Sequence, residues 1–204
     1  MARTPVVSDG IGPVLTIANA ITVVRTVVSV GLALTALQVE DPIGWVVAAY
    51  LVYWLGDSAD GLAARLLGQE TRAGAVHDIL SDRLCTALCA ANLVLLQPDL
   101  AVAIGIFLLN FMVLDCLLSL SFLLWPIVSP NYFGSVDEQV YRLNWSHPAK
   151  ALNNIGIVVA VVVGSLGLAL VIVAAQVALK AWSARRVLVR VRELEAARAG
   201  SSTP

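Results

Sequence analysis

Five long apolar runs constrain how this chain can fold more than any other feature. They lie at about residues 14–37, 43–56, 75–96, 100–128 and 149–183. Because a helix needs roughly 20 residues to cross the hydrocarbon core of a bilayer, such runs indicate transmembrane helices. The composition agrees, with 59% hydrophobic and 13% charged residues, against about 45–50% and 25% in ordinary soluble domains. The sequence therefore predicts an all-α, polytopic membrane helical bundle.

The last apolar run decides the number of spans. It is long for one helix and short for two, and the segment Val163-Gly164-Ser165-Leu166-Gly167 could form the turn of a hairpin. With six spans, the loops at 38–42 and 97–99, which hold no basic residue, share one side, and all thirteen Lys and Arg fall on or near the other. The positive-inside rule therefore favours six helices in the cell membrane, with both termini in the cytoplasm. We expect one domain over residues 1–199 and a disordered tail at 200–204.

Four aspartates lie beside or inside these apolar runs, at Asp57, Asp60, Asp78 and Asp82. An ionisable group at membrane depth costs a few kcal/mol unless it is compensated, so each aspartate is a candidate functional residue. Positions three and four apart share a helix face, which places the first two aspartates on one stripe and the last two on another. The polar connection at 66–73 favours a short cytoplasmic turn between two antiparallel helices. The two acidic stripes should therefore meet.

Carboxylate oxygens are ligands for hard cations, and Mg²⁺ typically binds one or two carboxylates together with substrate phosphates. Two metal ions about 4 Å apart can stabilise both the attacking and the leaving oxygen of a phosphoryl displacement. Arg65 adds a planar donor for a phosphate. From the residues alone we predict a metal-dependent site for a phosphorylated, lipid-soluble substrate. The alternative is a structural salt-bridge network in which Arg65, Arg72 and Arg83 neutralise the acids.

The complete pattern is specific, because it fixes eight residue identities over two predicted helices. It reads Asp57-x2-Asp60-Gly61-x2-Ala64-Arg65-x8-Gly74-x3-Asp78-x3-Asp82. This pattern resembles the signature of the CDP-alcohol phosphotransferase family at every fixed position. The resemblance implies transfer of a phosphatidyl or related group from a CDP-alcohol, most often CDP-diacylglycerol, to a hydroxyl acceptor. CMP is released, and the pathway is phospholipid synthesis.

The resemblance also implies roles for individual residues. Asp57, Asp60 and Asp78 would hold Mg²⁺, with Mn²⁺ as the alternative. Asp82 would ligate or approach the metal and act as general base. The residues implied in CDP-alcohol binding are Gly61, Arg65 and Thr71, together with Asn19 and Thr22 from a looser N-x-x-T match in the first helix. The family is generally dimeric, so we expect a homodimer in the lipid bilayer and no nucleic-acid partner.

The acceptor is less constrained by the sequence. The leading acceptor class is glycerol 3-phosphate or an inositol derivative. The family resemblance implies a basic residue for an acceptor phosphate, but the predicted helix at 100–125 has none and carries Asp115 instead. This aspartate either lines the acceptor pocket, meeting hydroxyls or an amine, or pairs with Arg25 or Lys150. Arg142 and Lys150 either bind an acceptor phosphate or anchor the chain at the interface.

Two other functions remain open at this point. An amino or uncharged alcohol such as serine could be the acceptor, and the presence of Asp115 favours such an acceptor. A non-catalytic membrane scaffold that retains the metal site is the alternative from another class.

Overall fold

The computed structural model of the chain describes residues 10–150, 152, 153, 159 and 163–201, and within them all regular structure is helical. The fold class predicted from the sequence is therefore confirmed at this level. Short 3-10 turns occupy Pro98–Leu100, Ser121–Leu124 and Pro130–Ser135, and a π-helical turn occupies Asn110–Asp115. The α-helices are α1 Ile17–Ala36, α2 Ile43–Leu66, α3 Arg72–Leu96, α4 Ala101–Leu109, α5 Cys116–Leu120, α6 Glu138–Asn144 and α7 Leu166–Ser201.

Four helical segments of the described residues are long and apolar enough to cross a membrane: Ile17–Ala36, Arg72–Leu96, Pro98–Leu124 and Leu166–Gly200. The α2 helix has 24 residues, enough for a span, but its second half carries the polar stripe. Residues 147–150, 152, 153, 159 and 163 are helical, and the rest of the span predicted there lies outside the described residues.

The chain turns at Gly164 and Ser165 before α7 begins, within the segment that the sequence offered as a possible hairpin turn. The predicted tail at 200–204 falls mostly outside the described residues, of which Gly200 and Ser201 are helical.

Close packing of α1 against α2 places the polar face of α1 at the site. A Cβ atom on Gly56 would lie 2.5 Å from the Cβ of Arg25, so only glycine allows this approach. Ser29 Oγ donates to the Ala49 carbonyl oxygen at 2.9 Å, which ties α1 to α2. Asn92 Nδ2 donates to the Ala33 carbonyl oxygen at 3.0 Å, which ties α3 to α1. Small residues and interhelical hydrogen bonds of this kind hold membrane helices together.

The segment at 125–145 packs into a core that it shares with the membrane helices, through Ile79 of α3, Leu118 of α5 and Val187 of α7. Phe133 is fully buried between Trp125 and Trp145, with ring centroids 5.4 and 4.9 Å away. Asp137 caps α6 by accepting the Val140 N–H at 3.1 Å, and its other oxygen accepts from two arginines of α7. Burial raises the pKa of Asp137, but the Val140 N–H and the arginines outweigh it and hold that pKa below its ordinary value. The aspartate therefore fastens α6 to α7 as an ion.

Candidate metal and substrate site

The two acidic stripes meet, as the helical spacing predicted. The connection at 67–71 reverses the chain between α2 and α3, and Thr71 caps α3 by accepting the Gly74 N–H at 2.9 Å. One carboxylate oxygen each of Asp57, Asp60 and Asp78 lies within 4.8 Å of the other two. Three convergent carboxylate oxygens fit a hard divalent cation, so the donor set suits Mg²⁺.

A cation from α1 lies among these acids. Arg25 Nε donates to Asp60 Oδ2 at 2.7 Å, and Arg25 Nη2 lies 3.0 Å from Asp82 Oδ1. The same Nη2 contacts Asp78 and lies 3.7 Å from Asp57 Oδ1. One guanidinium therefore links all four aspartates, including Asp82, which is outside the group of three. It carries the role that the salt-bridge alternative gave to Arg65, Arg72 and Arg83.

The three arginines of that alternative have other surroundings. Arg72 Nη2 donates to the Leu123 carbonyl oxygen at 2.5 Å. Arg83 pairs with Asp115. Arg65 lies over Gly61, where a Cβ atom would come within 3.2 Å of Arg65 Nη1. In the described part of the chain, the ion pairs of the four acids are therefore made by Arg25, and the salt-bridge alternative is wrong in assigning them to Arg72 and Arg83, which bond to other groups.

Of the two polar residues of α1 that the N-x-x-T match singled out, Thr22 bonds to an aspartate of the cluster, and Asn19 lies against Gly74 of the motif. Thr22 Oγ1 donates to Asp60 Oδ2 at 2.8 Å and is buried. Asn19 Nδ2 donates to the Val14 carbonyl oxygen at 2.7 Å. Asn19 Oδ1 would lie 2.7 Å from a Cβ atom on Gly74, which explains the glycine at that position of the motif. These contacts position Asp60 and bring α1 close to the start of α3.

A cavity of about 690 Å³ opens beside the four aspartates. It is also lined by all five residues assigned to CDP-alcohol binding, namely Asn19, Thr22, Gly61, Arg65 and Thr71. Apolar side chains of α2 and α3, such as Val47, Leu51 and Leu93, form another part of its wall. The cavity therefore combines a charged end with a surface suited to a lipid chain.

A second charged cluster lines the same cavity. Asp115 Oδ2 accepts from Arg83 Nη2 at 2.5 Å, and Asp115 Oδ1 contacts the Lys180 ammonium. Lys180 Nζ also donates to Asn144 Oδ1 at 2.8 Å. The sequence left open whether Asp115 lines the acceptor pocket or pairs with Arg25 or Lys150. Asp115 does line the cavity, and the pairing alternative is wrong in its partners, which are Arg83 and Lys180. The π-helical turn that ends at Asp115 sets the side-chain direction, and spacing along an ideal helix does not predict it.

The other two residues considered for the acceptor lie apart from this cluster. Lys150 lines the cavity, and its Nζ donates to Asn131 Oδ1 at 3.1 Å. Arg142 is exposed, pairs with Glu138 at 2.8 Å on α6, and is not among the residues that line the cavity.

Sequence reasoning missed Arg83 and Lys180 as cavity residues and Arg25 as the central cation. All three are basic residues in or next to apolar runs. That placement was the available signal, because such a cation must find a buried anion.

The fold and site together define an integral membrane protein with a cluster of aspartates facing a lipid-sized cavity. The chain belongs to the CDP-alcohol phosphatidyltransferase family, whose model matches residues 15–182. The family uses divalent metal ions, and the aspartate cluster offers carboxylate ligands for one.

Comparison with individual proteins gives a shorter match. Proteins named CDP-diacylglycerol--inositol 3-phosphatidyltransferase from Rattus norvegicus, Mus musculus and Homo sapiens are each 51% identical to the chain over 49 residues. The matched stretch covers 24% of this chain and 23% of each relative. No solved structure shows significant similarity to the chain.

Proposed function

We propose that the protein transfers a phosphatidyl group from CDP-diacylglycerol to a hydroxyl of inositol or an inositol phosphate and releases CMP. The observation that carries this proposal is that three aspartates converge, with Asp82 beside them, at the wall of a cavity that also has a lipid-compatible surface. Family membership supports the reaction type. The name of the mammalian relatives supports the acceptor class.

The reaction assigns each group a defined task. The acceptor oxygen forms a bond to the phosphorus that carries diacylglycerol. The bond between that phosphorus and the bridging oxygen of the pyrophosphate breaks, and CMP leaves with the electron pair. Asp82 accepts the hydroxyl proton, because it is the carboxylate outside the group of three that converges on one point. Arg65 lies at the cavity wall, where its planar fork suits the donor's phosphate oxygens.

We propose that Asp57, Asp60 and Asp78 bind Mg²⁺ and that Asp82 lies beside the ion. When bound, the ion supplies charge stabilisation for the pyrophosphate oxygens. Thr22 holds Asp60 by a hydrogen bond, and Arg25 holds the acids together and offsets their mutual repulsion.

The charge pattern of the sequence supports a proposal for the topology of the protein in the membrane. We place six spans in the cell membrane with the termini and the site on the cytoplasmic side, because the basic residues gather there. The homodimer expected from the family resemblance is part of the same proposal.

The first experiment measures CMP release from CDP-diacylglycerol by the purified full-length protein with Mg²⁺. The acceptors are inositol, inositol phosphate, glycerol 3-phosphate, glycerol and serine. We expect release that requires an inositol-type acceptor and stops when EDTA removes the metal. Asp82→Asn should lower the rate at least about 100-fold, the lower end of what a general base contributes, while CDP-diacylglycerol still binds. Asp99→Asn, at an exposed position in the turn before α4, is the matched control.

The other outcomes separate the alternatives. Release with serine alone replaces the acceptor and keeps the reaction. Absence of release with every acceptor, in protein that binds CDP-diacylglycerol, contradicts the proposal and favours the scaffold. That second function has one observation in its favour, since Arg25 already provides a cation for all four acids.

A further inference from the structure

The last helix, α7, is longer than a membrane span requires. It has 36 residues, Leu166–Ser201, which is about 54 Å at a rise of 1.5 Å per residue, against a hydrocarbon core of about 30 Å. A span of roughly 20 residues that begins at Leu166 ends near Arg185. Lys180, which pairs with Asp115 in the cavity, lies within that span. The part of α7 that leaves the apolar layer is therefore the arginine-rich part.

The structure divides the first four arginines of this part into two pairs. Arg186 and Arg190 both donate to Oδ2 of the buried Asp137, at 2.9 and 3.2 Å, so this carboxylate offsets much of their charge. Arg185 and Arg192 are exposed, and within the described part of the chain neither side chain has an ion pair or a hydrogen bond. Two cations of α7 are thus left without an anion.

The two unpaired arginines share a helix face with exposed apolar side chains. Arg185 and Arg192 are seven positions apart, which is two turns on one face. Leu188 and Val189 lie between them with 60% and 48% of their surfaces exposed, and Trp182, one turn before Arg185, is 40% exposed. We call these five residues the α7 stripe. Another face of the same turns packs into the protein core, so the stripe is the side of α7 that is left uncovered.

This combination of side chains fits the headgroup layer of a membrane. Tryptophan is enriched at that level, and a guanidinium suits the oxygens of a phosphate. Helical side chains tilt toward the N-terminus of their helix, and the N-terminal part of α7 is the spanning part, so Arg185 and Arg192 lean back toward the bilayer. A free phosphate would pair with the arginines but would leave Leu188 and Val189 in water. A lipid with an anionic headgroup covers both kinds of side chain.

We propose that the α7 stripe binds anionic lipid headgroups on the side of the membrane where the aspartate cluster lies. The segment at 125–145 links the two places. Its Asp137 bonds to α7, and its Tyr132 donates to Glu70 Oε2 at 2.8 Å, in the connection between the two helices that carry the aspartates. The described residues that line the cavity do not include the stripe, so this lipid surface is separate from the proposed substrate site.

The test uses the purified full-length protein in phosphatidylcholine nanodiscs that contain a small fraction of phosphatidylglycerol labelled on its acyl chain. Energy transfer from tryptophan to the label measures how much of this lipid lies beside the protein, and Trp182 belongs to the stripe itself. Phosphatidylcholine with the same label is the reference. For the wild type we expect a relative affinity at least about fivefold higher for phosphatidylglycerol, which is the effect of one basic residue near an anionic headgroup.

The double variant Arg185→Gln with Arg192→Gln should bring the two labelled lipids to equal affinity, and each single variant should fall between it and the wild type. Raising the salt to about 1 M should also remove the preference, because the screening length falls from about 8 Å to about 3 Å. Arg142→Gln is the matched control for each single variant. It removes one exposed arginine that pairs with Glu138 on α6, and it should keep the wild-type preference. Thermal unfolding should show the same midpoint for all these proteins, since the replaced side chains are exposed.

Four results would overturn the proposal. The first is equal affinity for the two labelled lipids in the wild type, and the second is a preference that the double variant retains. The third is a preference lost in Arg65→Gln and kept in the double variant, because that result places the anionic lipid in the cavity that Arg65 lines. The fourth is a double variant with an altered oligomeric state and an unchanged lipid preference, which would assign the stripe to a second copy of the chain. None of these measurements involves CMP release, so each outcome leaves the proposed reaction to its own experiment.

Discussion

Replacing Arg25 by methionine tests whether this cation offsets the electrostatic repulsion among the four aspartates. The guanidinium is 2% exposed and touches carboxylates that are 5% exposed at Asp60 and 23–40% exposed at the other three. Removing one partner of a buried pair costs about 3–5 kcal/mol. Because three of the four acids keep some access to water, we expect the lower end, about 3 kcal/mol, in protein without metal. For a chain of this size that is a fall of roughly 6–12 °C in the unfolding midpoint.

Added metal should reverse this loss. Arg25 contacts Asp57, Asp60 and Asp78, whose oxygens also form the candidate metal site, so a divalent cation can replace the missing charge. A ligand at 100 times its Kd stabilises the native state by about 2.7 kcal/mol. Mg²⁺ should therefore raise the midpoint of Arg25→Met more than that of the wild type, because the metal no longer competes with the guanidinium.

The assay is thermal unfolding of the purified protein in detergent, followed by tryptophan fluorescence, in EDTA and at several Mg²⁺ concentrations. Arg142→Met is the matched control, since that pair with Glu138 is 72% and 56% exposed and is worth at most about 0.5 kcal/mol. Two results would refute the reasoning: a variant as stable as the wild type in EDTA, or an equal gain from Mg²⁺ in both proteins.

Two further predictions concern helix packing and pH. Gly56→Ala should cost about 1–3 kcal/mol, because its Cβ would overlap Arg25; Gly31→Ala, with open space at its Cβ, is the control, and equal melting of the two variants would contradict the contact. The pKa of Asp137 is lower in the folded protein than in the unfolded chain, where it is about 3.9. The ionised carboxylate therefore stabilises the fold fully above the unfolded-state pKa, and this stabilisation is lost as the pH falls through the folded-state pKa. The free energy of unfolding of Asp137→Asn should therefore be about 1 kcal/mol lower than that of the wild type at neutral pH. This difference in stability should disappear below about pH 4. An equal stability difference between Asp137→Asn and the wild type at neutral and at acidic pH would contradict this prediction. So would an equal loss of stability in Asp99→Asn.

Much of the acidic site could be predicted from the sequence, because its geometry is local. Asp57 and Asp60 share a face of one helix, Asp78 and Asp82 share a face of the next, and a five-residue connection leaves little freedom in how the helices meet. The continuation of α2 from the apolar run into the motif was also predictable, since no proline and no pair of glycines interrupts it.

The sequence by itself therefore determined the membrane class, the paired acidic stripes and the kind of cation they suit. Only the tertiary structure decided which distant charges complete the site. Arg25 reaches acids 32 to 57 residues away, and Asp115 meets Arg83 and Lys180 on two other helices. Such pairs depend on how each helix is rotated about its axis and on the π-helical turn before Asp115. Periodicity along one helix carries no information about that rotation, because packing against the other helices sets it.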